Sequence, residues 1–270
     1  VLRLYATVVT FSPHPREFFS GQTVPLLSPF EEKVALLEQM GVDQLVMLPF
    51  DRELANLTPR AFVEEILVHQ LQAKHVSVGE DFCFGHRRSG TAETLQSLAA
   101  DYGIEVEIVA LQTLAGERIS SSAVRQALGK GELTIATQLL GRSYRLIGTV
   151  VSGQQVGRTI GFPTANLQVA AEKLIPAQGV YGVRVFGKEL NHGDPVFGVM
   201  NIGYRPTLQG TQQTIEVHLL DWIGDLYGHT LTVELLEFIR PEQKFPSLEA
   251  LQAQISADCL TARTLLPSIG

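Results

Sequence analysis

The stretch YRLIGTVVSG, residues 144–153, marks a change of texture in a chain of 270 residues. It is a strand-like run, rich in Leu, Ile and Val and punctuated by glycine. The same character recurs downstream in GVYGVRVFG from Gly179, PVFGVMNIG from Pro195, QTIEVHLLDW from Gln213 and HTLTVELLEFI from His229. Such runs, followed by the helical pattern SLEALQAQISADCLTAR, predict an antiparallel barrel or sandwich closed by a C-terminal helix.

Upstream of Gly141 the pattern is different. LYATVVTF, QLVML, HVSVG and EVEIVAL are strand-like, and they alternate with SPFEEKVALLEQMG, TPRAFVEEILVHQLQ, TLQSLAADYG and SSSAVRQALGKG. The last four are helical, and Thr58 and Pro59 form a cap and first position for the second of them. Short apolar strands separated by amphipathic helices predict a parallel, Rossmann-like sheet with helices on both faces. The expected organisation is therefore α/β followed by β, with domains at 1–141 and 142–270.

Hydrophobic residues make up 45% of the chain and charged ones 18%, the balance of a folded globular protein. A net charge of −7 argues against a protein that coats nucleic acid. No apolar run has the length of a membrane span, so the expected partners are small molecules, and neither a membrane nor nucleic acid. Cys83 and Cys259 lack metal-ligand spacing and read as two buried thiols in a reducing cytoplasm. The chain enters its first strand at Leu4 without a lead-in, and a segment upstream is expected to be missing.

Immediately after residues 144–153 comes QQVGRTIGFPTANL. Gly153, Gly157 and Gly161 permit a backbone path whose amides can face one anion, although the P-loop order of glycines and lysine is absent. Pro163 holds Phe162 extended, and alternation then puts Thr164 and Asn166 on one side. A hydroxyl and an amide carbonyl are hard neutral oxygens, suited to a Mg²⁺ already held by nucleotide phosphates. A plain glycine hairpin is the alternative. In QTIEVHLLDW, period two puts Thr214, Glu216 and His218 on one face. Glu216 is there either as a general base or as a charge on the wet face of a half-buried strand. His218 lacks a second ligand at metal spacing.

The front half has three stretches at the ends of strands or the start of a helix. TFSPHPREFF holds His14 between two prolines, VGEDFCFG places Asp81 just past a strand, and RISSSAVRQAL puts Ser121 and Ser122 at a helix start with Arg125 one turn on. His14 and the serine helix start can grip phosphate, by charge, hydroxyl or helix dipole, while Asp81 sits at a strand's carboxyl end, where such sheets keep their ligands. The serines can equally be plain N-caps.

GTVVSGQQVGRTIGFPTANL, GVYGVRV, GVMNIGYRPT, IEVHLLD and DLYGHTL through FIRPEQKFPSLEALQAQI together resemble the riboflavin kinase module. With the front half included, the chain is similar to the bacterial bifunctional riboflavin kinases/FMN adenylyltransferases (FAD synthetases). The resemblance implies a six-stranded barrel that phosphorylates riboflavin to FMN, and a nucleotidyltransferase domain that adenylylates FMN to FAD. It implies that Thr164 and Asn166 bind Mg²⁺ and the ATP phosphates under the Gly153–Gly161 loop, and that Glu216 accepts the ribityl proton. By the same resemblance His14, Asp81, Ser121, Ser122 and Arg125 belong to the adenylyl-transfer site. NIGYRPT and Arg240 fall on the flavin side, where Arg205 and Arg240 are also candidates for structural ion pairs.

Two departures stand out. Ser122 occupies a position where the family usually has threonine, which keeps the hydroxyl. The family's G-x-F-D-G-x-H-x-G-H stretch has no counterpart here, so this chain is expected to make FMN but little FAD. The alternatives are a kinase whose front domain is a nucleotide-binding or regulatory scaffold, and a barrel that only binds nucleotide or RNA. A general base at Glu216 counts against the last, because a pure binder needs none.

Overall fold

The computed structural model describes residues 4–153, 156–190, 194–207 and 210–265. The chain divides into two compact units, one of Val1–Val24 and Lys33–Ile119, the other of Pro25–Glu32 and Ser120–Gly270.

The first unit begins with β1 (Thr7–Ser12) and α1 (Pro15–Ser20), and α2 (Phe30–Gln39) leads into β2 (Gln44–Pro49). Then come α3 (Arg52–Asn56), α4 (Pro59–Phe62), β3 (His75–Gly79), the short strands β4 (Cys83–Phe84) and β5 (Gly90–Thr91), and α5 (Ala92–Ala100). It ends with β6 (Glu105–Val109) and a small hairpin, β7 (Thr113–Leu114) and β8 (Glu117–Arg118). β1 pairs with β2 and β3 with β6, both in parallel, as alternation of strand and helix requires. Thr58 caps α4 by accepting from the Ala61 N–H at 3.2 Å, and the helix widens into π-type turns over Val63–Gln70. Phe62, Val63, Leu67, Phe84 and Leu95 form the core beneath the strands.

The second unit comprises α6 (Ser121–Lys130), α7 (Leu133–Leu140), β9 (Tyr144–Val151), α8 (Val156–Thr159), β10 (Ala165–Val169) and β11 (Gly179–Phe186). β12 (Val196–Thr207), β13 (Gly210–Leu219), β14 (Thr230–Arg240) and α9 (Leu248–Leu265) complete it. The six strands close in the order β10-β13-β12-β11-β14-β9, every pair antiparallel. Closure leaves no strand edge unpaired and encloses a core in which Leu146, Val183, Met200, Ile202, Leu231 and Val233 have no exposed surface. α9 covers the outside of the barrel, where Cys259 and Ala262 pack on Val180, Val199 and Leu220.

The segment Pro25–Glu32 forms a strap on this second unit. The Leu26 N–H donates to the Glu172 carbonyl at 2.7 Å, and the Leu174 N–H donates to the Leu26 carbonyl at 2.8 Å. Lys173 Nζ donates to the Leu27 carbonyl at 2.9 Å and pairs with the Glu32 carboxylate, while it lies 4.5 Å from the Tyr144 ring centroid. Only 1% of the Lys173 side chain is exposed. Burial pushes its ammonium below the usual lysine range and pushes the Glu32 carboxyl up, each effect partly offset by the other partner.

Candidate active site

The outward residues of β13 are placed by their inward neighbours. Ile215, Val217 and Leu219 are buried in the barrel, so Thr214, Glu216 and His218 take the other face at intermediate exposure. Glu216 stands opposite Asn166 of β10 on one side and opposite Asn201 of β12 on the other. Directly opposed residues have side chains within reach of each other, which makes Asn166, Glu216 and Asn201 a polar row across three strands. Thr164, just before β10, donates its hydroxyl to Glu216 Oε2 at 3.4 Å.

The glycine turn packs onto this row. A Cβ built on Gly153 would lie 2.2 Å from Asn166 Nδ2, so the backbone of residue 153 rests on the Asn166 amide. At Gly157 a Cβ would lie 2.3 Å from the Phe162 carbonyl oxygen and 3.4 Å from Thr164 Cγ2. The Phe162 N–H donates to the Gly157 carbonyl at 2.8 Å, and Gly161 takes a φ of +86° that a side chain would strain. Thr164 also lines a cleft of about 550 Å³ at the barrel mouth. Val150, Val217 and Leu219 form its apolar floor, and Trp222, Ile223 and Tyr227 of the β13–β14 loop form its wall.

The donor set fits a divalent cation brought by phosphates. Thr164 and Asn166 offer neutral oxygens beside one carboxylate, and a hydroxyl that donates to Glu216 keeps both lone pairs for a cation. Among the described residues no three His, Cys, Asp or Glu side chains cluster to hold a metal by themselves.

Arg240 forms an ion pair with Asp258. Its Nε and a terminal nitrogen engage Asp258 at 2.9 and 2.7 Å, its other nitrogen donates to the Pro241 carbonyl, and Asp258 is 3% exposed. The guanidinium thus fastens β14 to α9 and fixes the start of the segment after it. In that segment the Glu242 carboxylate lies against Gly203, where a Cβ would come within 2.2 Å of Oε1 and 3.2 Å of Asn201 Nδ2. The Arg205 side chain lies outside the described residues.

In the first unit His14 caps α1. Its Nδ1 accepts from the Arg16 N–H at 3.1 Å, and its own N–H donates to Glu17 Oε2 at 3.2 Å. An occupied Nδ1 acceptor fixes the ring proton on Nε2, leaving that donor for another partner. Asp81 lies two residues past β3 and pairs with Arg118 of the β7–β8 hairpin. The Arg118 guanidinium holds the Asp81 carboxyl below the usual range. Phe11, Phe18, Phe19 and Phe50 meet edge to face at 5.2–5.8 Å, with Phe19 72% exposed.

Ser121, Ser122 and Arg125 belong to the second unit. Ser120 caps α6 by accepting from the Ala123 N–H at 3.2 Å, which leaves the exposed Ser121 and Ser122 hydroxyls out of the cap. Arg125 Nε donates to the Pro25 carbonyl at 3.3 Å. Sequence reasoning reached Asn201 only as part of the segment NIGYRPT, and did not single out Glu242, Arg118 or the phenylalanine cluster, whose partners lie far off in the chain.

Comparison with known proteins agrees with both halves. The riboflavin kinase family model matches residues 140–266 and the FAD synthetase model residues 2–123. The chain is 44% identical to the bifunctional riboflavin kinase/FMN adenylyltransferase of Escherichia coli (strain K12), over 95% of this chain and 81% of that protein. It is 40% identical to the enzyme of the same description from Haemophilus influenzae, over 99% and 86%. A Streptococcus pneumoniae crystal structure described as a macrolide-efflux protein superposes with a TM-score of 0.85 at 32% identity, covering 95% of this chain and 83% of that one. Among the described residues no helix is long and apolar enough to cross a membrane. The chain belongs to the family of bifunctional riboflavin kinases/FMN adenylyltransferases.

Proposed function

We propose that residues 142–270 phosphorylate the ribityl 5′-hydroxyl of riboflavin at Glu216, and that residues 1–141 carry the adenylylation of the product. The chain has both domains of the path from riboflavin through FMN to FAD, and its substrates are riboflavin, FMN and ATP. The observation that carries the kinase reading is the convergence of Thr164, Asn166 and Glu216 under the Gly153–Gly161 turn, beside an apolar cleft.

In this reading the cleft at Val150, Val217 and Trp222 takes the nucleotide base, and the turn covers the phosphates. Thr164 and Asn166 would hold Mg²⁺, which when bound neutralises phosphate charge. Glu216 accepts the proton of the ribityl hydroxyl as its oxygen bonds to the γ-phosphorus, and ADP leaves. Transfer of this kind needs alignment and charge neutralisation more than covalent help, so one carboxylate is enough. Arg240 acts on the flavin side through Asp258 and the segment that carries Glu242. For adenylyl transfer, His14 Nε2–H is assigned to the ATP phosphates and Asp81 to the nucleotide. The exposed Phe19 face is assigned to the flavin ring. We place the protein in the cytoplasm, in keeping with two free thiols, although only Cys259 is buried as expected and Cys83 is partly exposed.

The test is an assay with riboflavin, ATP and Mg²⁺, in which FMN is followed by chromatography. His14→Ala should leave FMN formation within two-fold of the parent and lower whatever FAD formation from supplied FMN the parent shows. Loss of riboflavin phosphorylation in that variant would break the division of labour. Failure of the parent to make FMN would sink the kinase reading outright.

A further inference from the structure

We infer that His218 is a positioning residue for the kinase half, holding the Pro163 carbonyl so that Thr164 and Asn166 face the cation and phosphates. The inference rests on the kinase reading above. His218 lies two residues past Glu216 on the same face of β13, and its Nδ1 is 2.9 Å from the Pro163 carbonyl oxygen. A carbonyl only accepts, so Nδ1 carries the proton. The same ring meets Phe162 edge to face with centroids 5.4 Å apart. Phe162 in turn packs against the cluster of Val180, Val199, Leu220 and Cys259 outside the barrel.

The chain is therefore gripped at several points just before the metal-facing pair. Gln252 of α9 donates to the Ile160 carbonyl at 3.2 Å, and the Gly157–Phe162 hydrogen bond closes the turn. Pro163 has no N–H, and its carbonyl is the last backbone group before Thr164. The imidazole adds to two other ties that hold Thr164 beside β13, the long 3.4 Å hydroxyl bond to Glu216 and the β10–β13 ladder that pairs Ala165 with Val217 and Asn166 with Glu216. One strand thus supplies both the base and the brace for the residues facing it, which keeps base and cation site in register.

The experiment compares His218→Phe, which keeps a ring for Phe162 and removes the donor, with His218→Asn, which keeps a donor near the Nδ1 position. Mg·ADP and riboflavin affinities are measured by calorimetry, alongside kcat and KM. His218→Phe should weaken Mg·ADP binding and raise KM for ATP about 3–10-fold, the worth of one lost hydrogen bond, with riboflavin affinity within two-fold. His218→Asn should restore most of that loss. Unchanged Mg·ADP affinity in His218→Phe, or equal loss for nucleotide and flavin, would overturn the positioning role while leaving the kinase reading intact. A parent protein that binds no Mg·ADP would instead overturn the kinase reading and this role with it. The ring tautomer gives a check that needs no variant. ¹⁵N NMR of the neutral ring should show the proton on Nδ1, and a proton on Nε2 alone excludes the bond to Pro163.

Discussion

Thr164, Asn166 and Glu216 meet because apolar residues beside them occupy the barrel interior, which leaves the polar ones only the outer face or the rim. Glu216→Gln keeps the shape and hydrogen-bonding reach of the side chain but cannot take a proton. Turnover should fall by roughly 10²–10⁴, the usual worth of a placed general base, while calorimetry shows Mg·ADP binding nearly intact. Turnover within a few-fold of the parent would remove Glu216 from the mechanism. Gly153 offers a subtler test, since the Cβ of Gly153→Ala would fall 2.2 Å from Asn166 Nδ2 and displace that amide. Mg·ADP affinity should drop about ten-fold in Gly153→Ala and by a similar factor in Asn166→Ala. The double variant should be no worse than either single one, because both changes remove the same contact. Additive losses would mean that Gly153 acts on the phosphates independently of Asn166.

Among the elements, those whose identity depends on local pattern were legible in the sequence. Alternation in QTIEVHLLDW gives the inner face of β13 at Ile215, Val217 and Leu219, and glycine punctuation separates the barrel strands. Thr58 and Pro59 announce α4 because capping is a contact within three residues. Nothing local announces what the elements do to each other. The bond from His218 to the Pro163 carbonyl spans 55 residues and that from Arg118 to Asp81 spans 37, so the partner in each case is chosen by the fold. Arg240 shows the same limit, since its ion-pair partner Asp258 is brought to it by α9, 18 residues on. The β7–β8 hairpin yields a prediction of its own. Arg118 lowers the Asp81 pKa, so the pair stabilises the fold above the usual carboxylate range, and that contribution is lost as pH falls through the lowered value. In Arg118→Gln the Asp81 titration, followed by NMR, should move up towards the ordinary value. Both partners are half exposed, so added salt should shrink the difference. An Asp81 titration unmoved by the substitution would leave Arg118 without a role there.

At the scale of the whole molecule, the strap Pro25–Glu32 makes the barrel unit discontinuous in sequence. The Lys173–Glu32 pair spans 141 residues, and Lys173 has almost no exposed surface in which to be hydrated. A buried ion pair adds little net stability, because desolvation of both charges offsets their attraction, yet removal of one partner leaves the other charge buried without compensation. Glu32→Leu should therefore cost about 3–5 kcal/mol in the unfolding of the barrel unit, measured by denaturant titration and by the loss of riboflavin phosphorylation. Adding Lys173→Met to it should return stability to near the parent, since an apolar pair replaces the ionic one. The pH dependence has a definite sign. Burial already lowers the Lys173 pKa, and in Glu32→Leu the opposing pull of the carboxylate is gone. Between the lowered folded value and the ordinary unfolded one the unfolded chain binds more protons, so the stability of Glu32→Leu should rise as pH is raised from neutral towards 10. The double variant, with no ammonium at position 173, should lack that rise. If single and double variants unfold together at every pH, Lys173 is hydrated when unpaired and the strap is held by its backbone bonds at Leu26 instead.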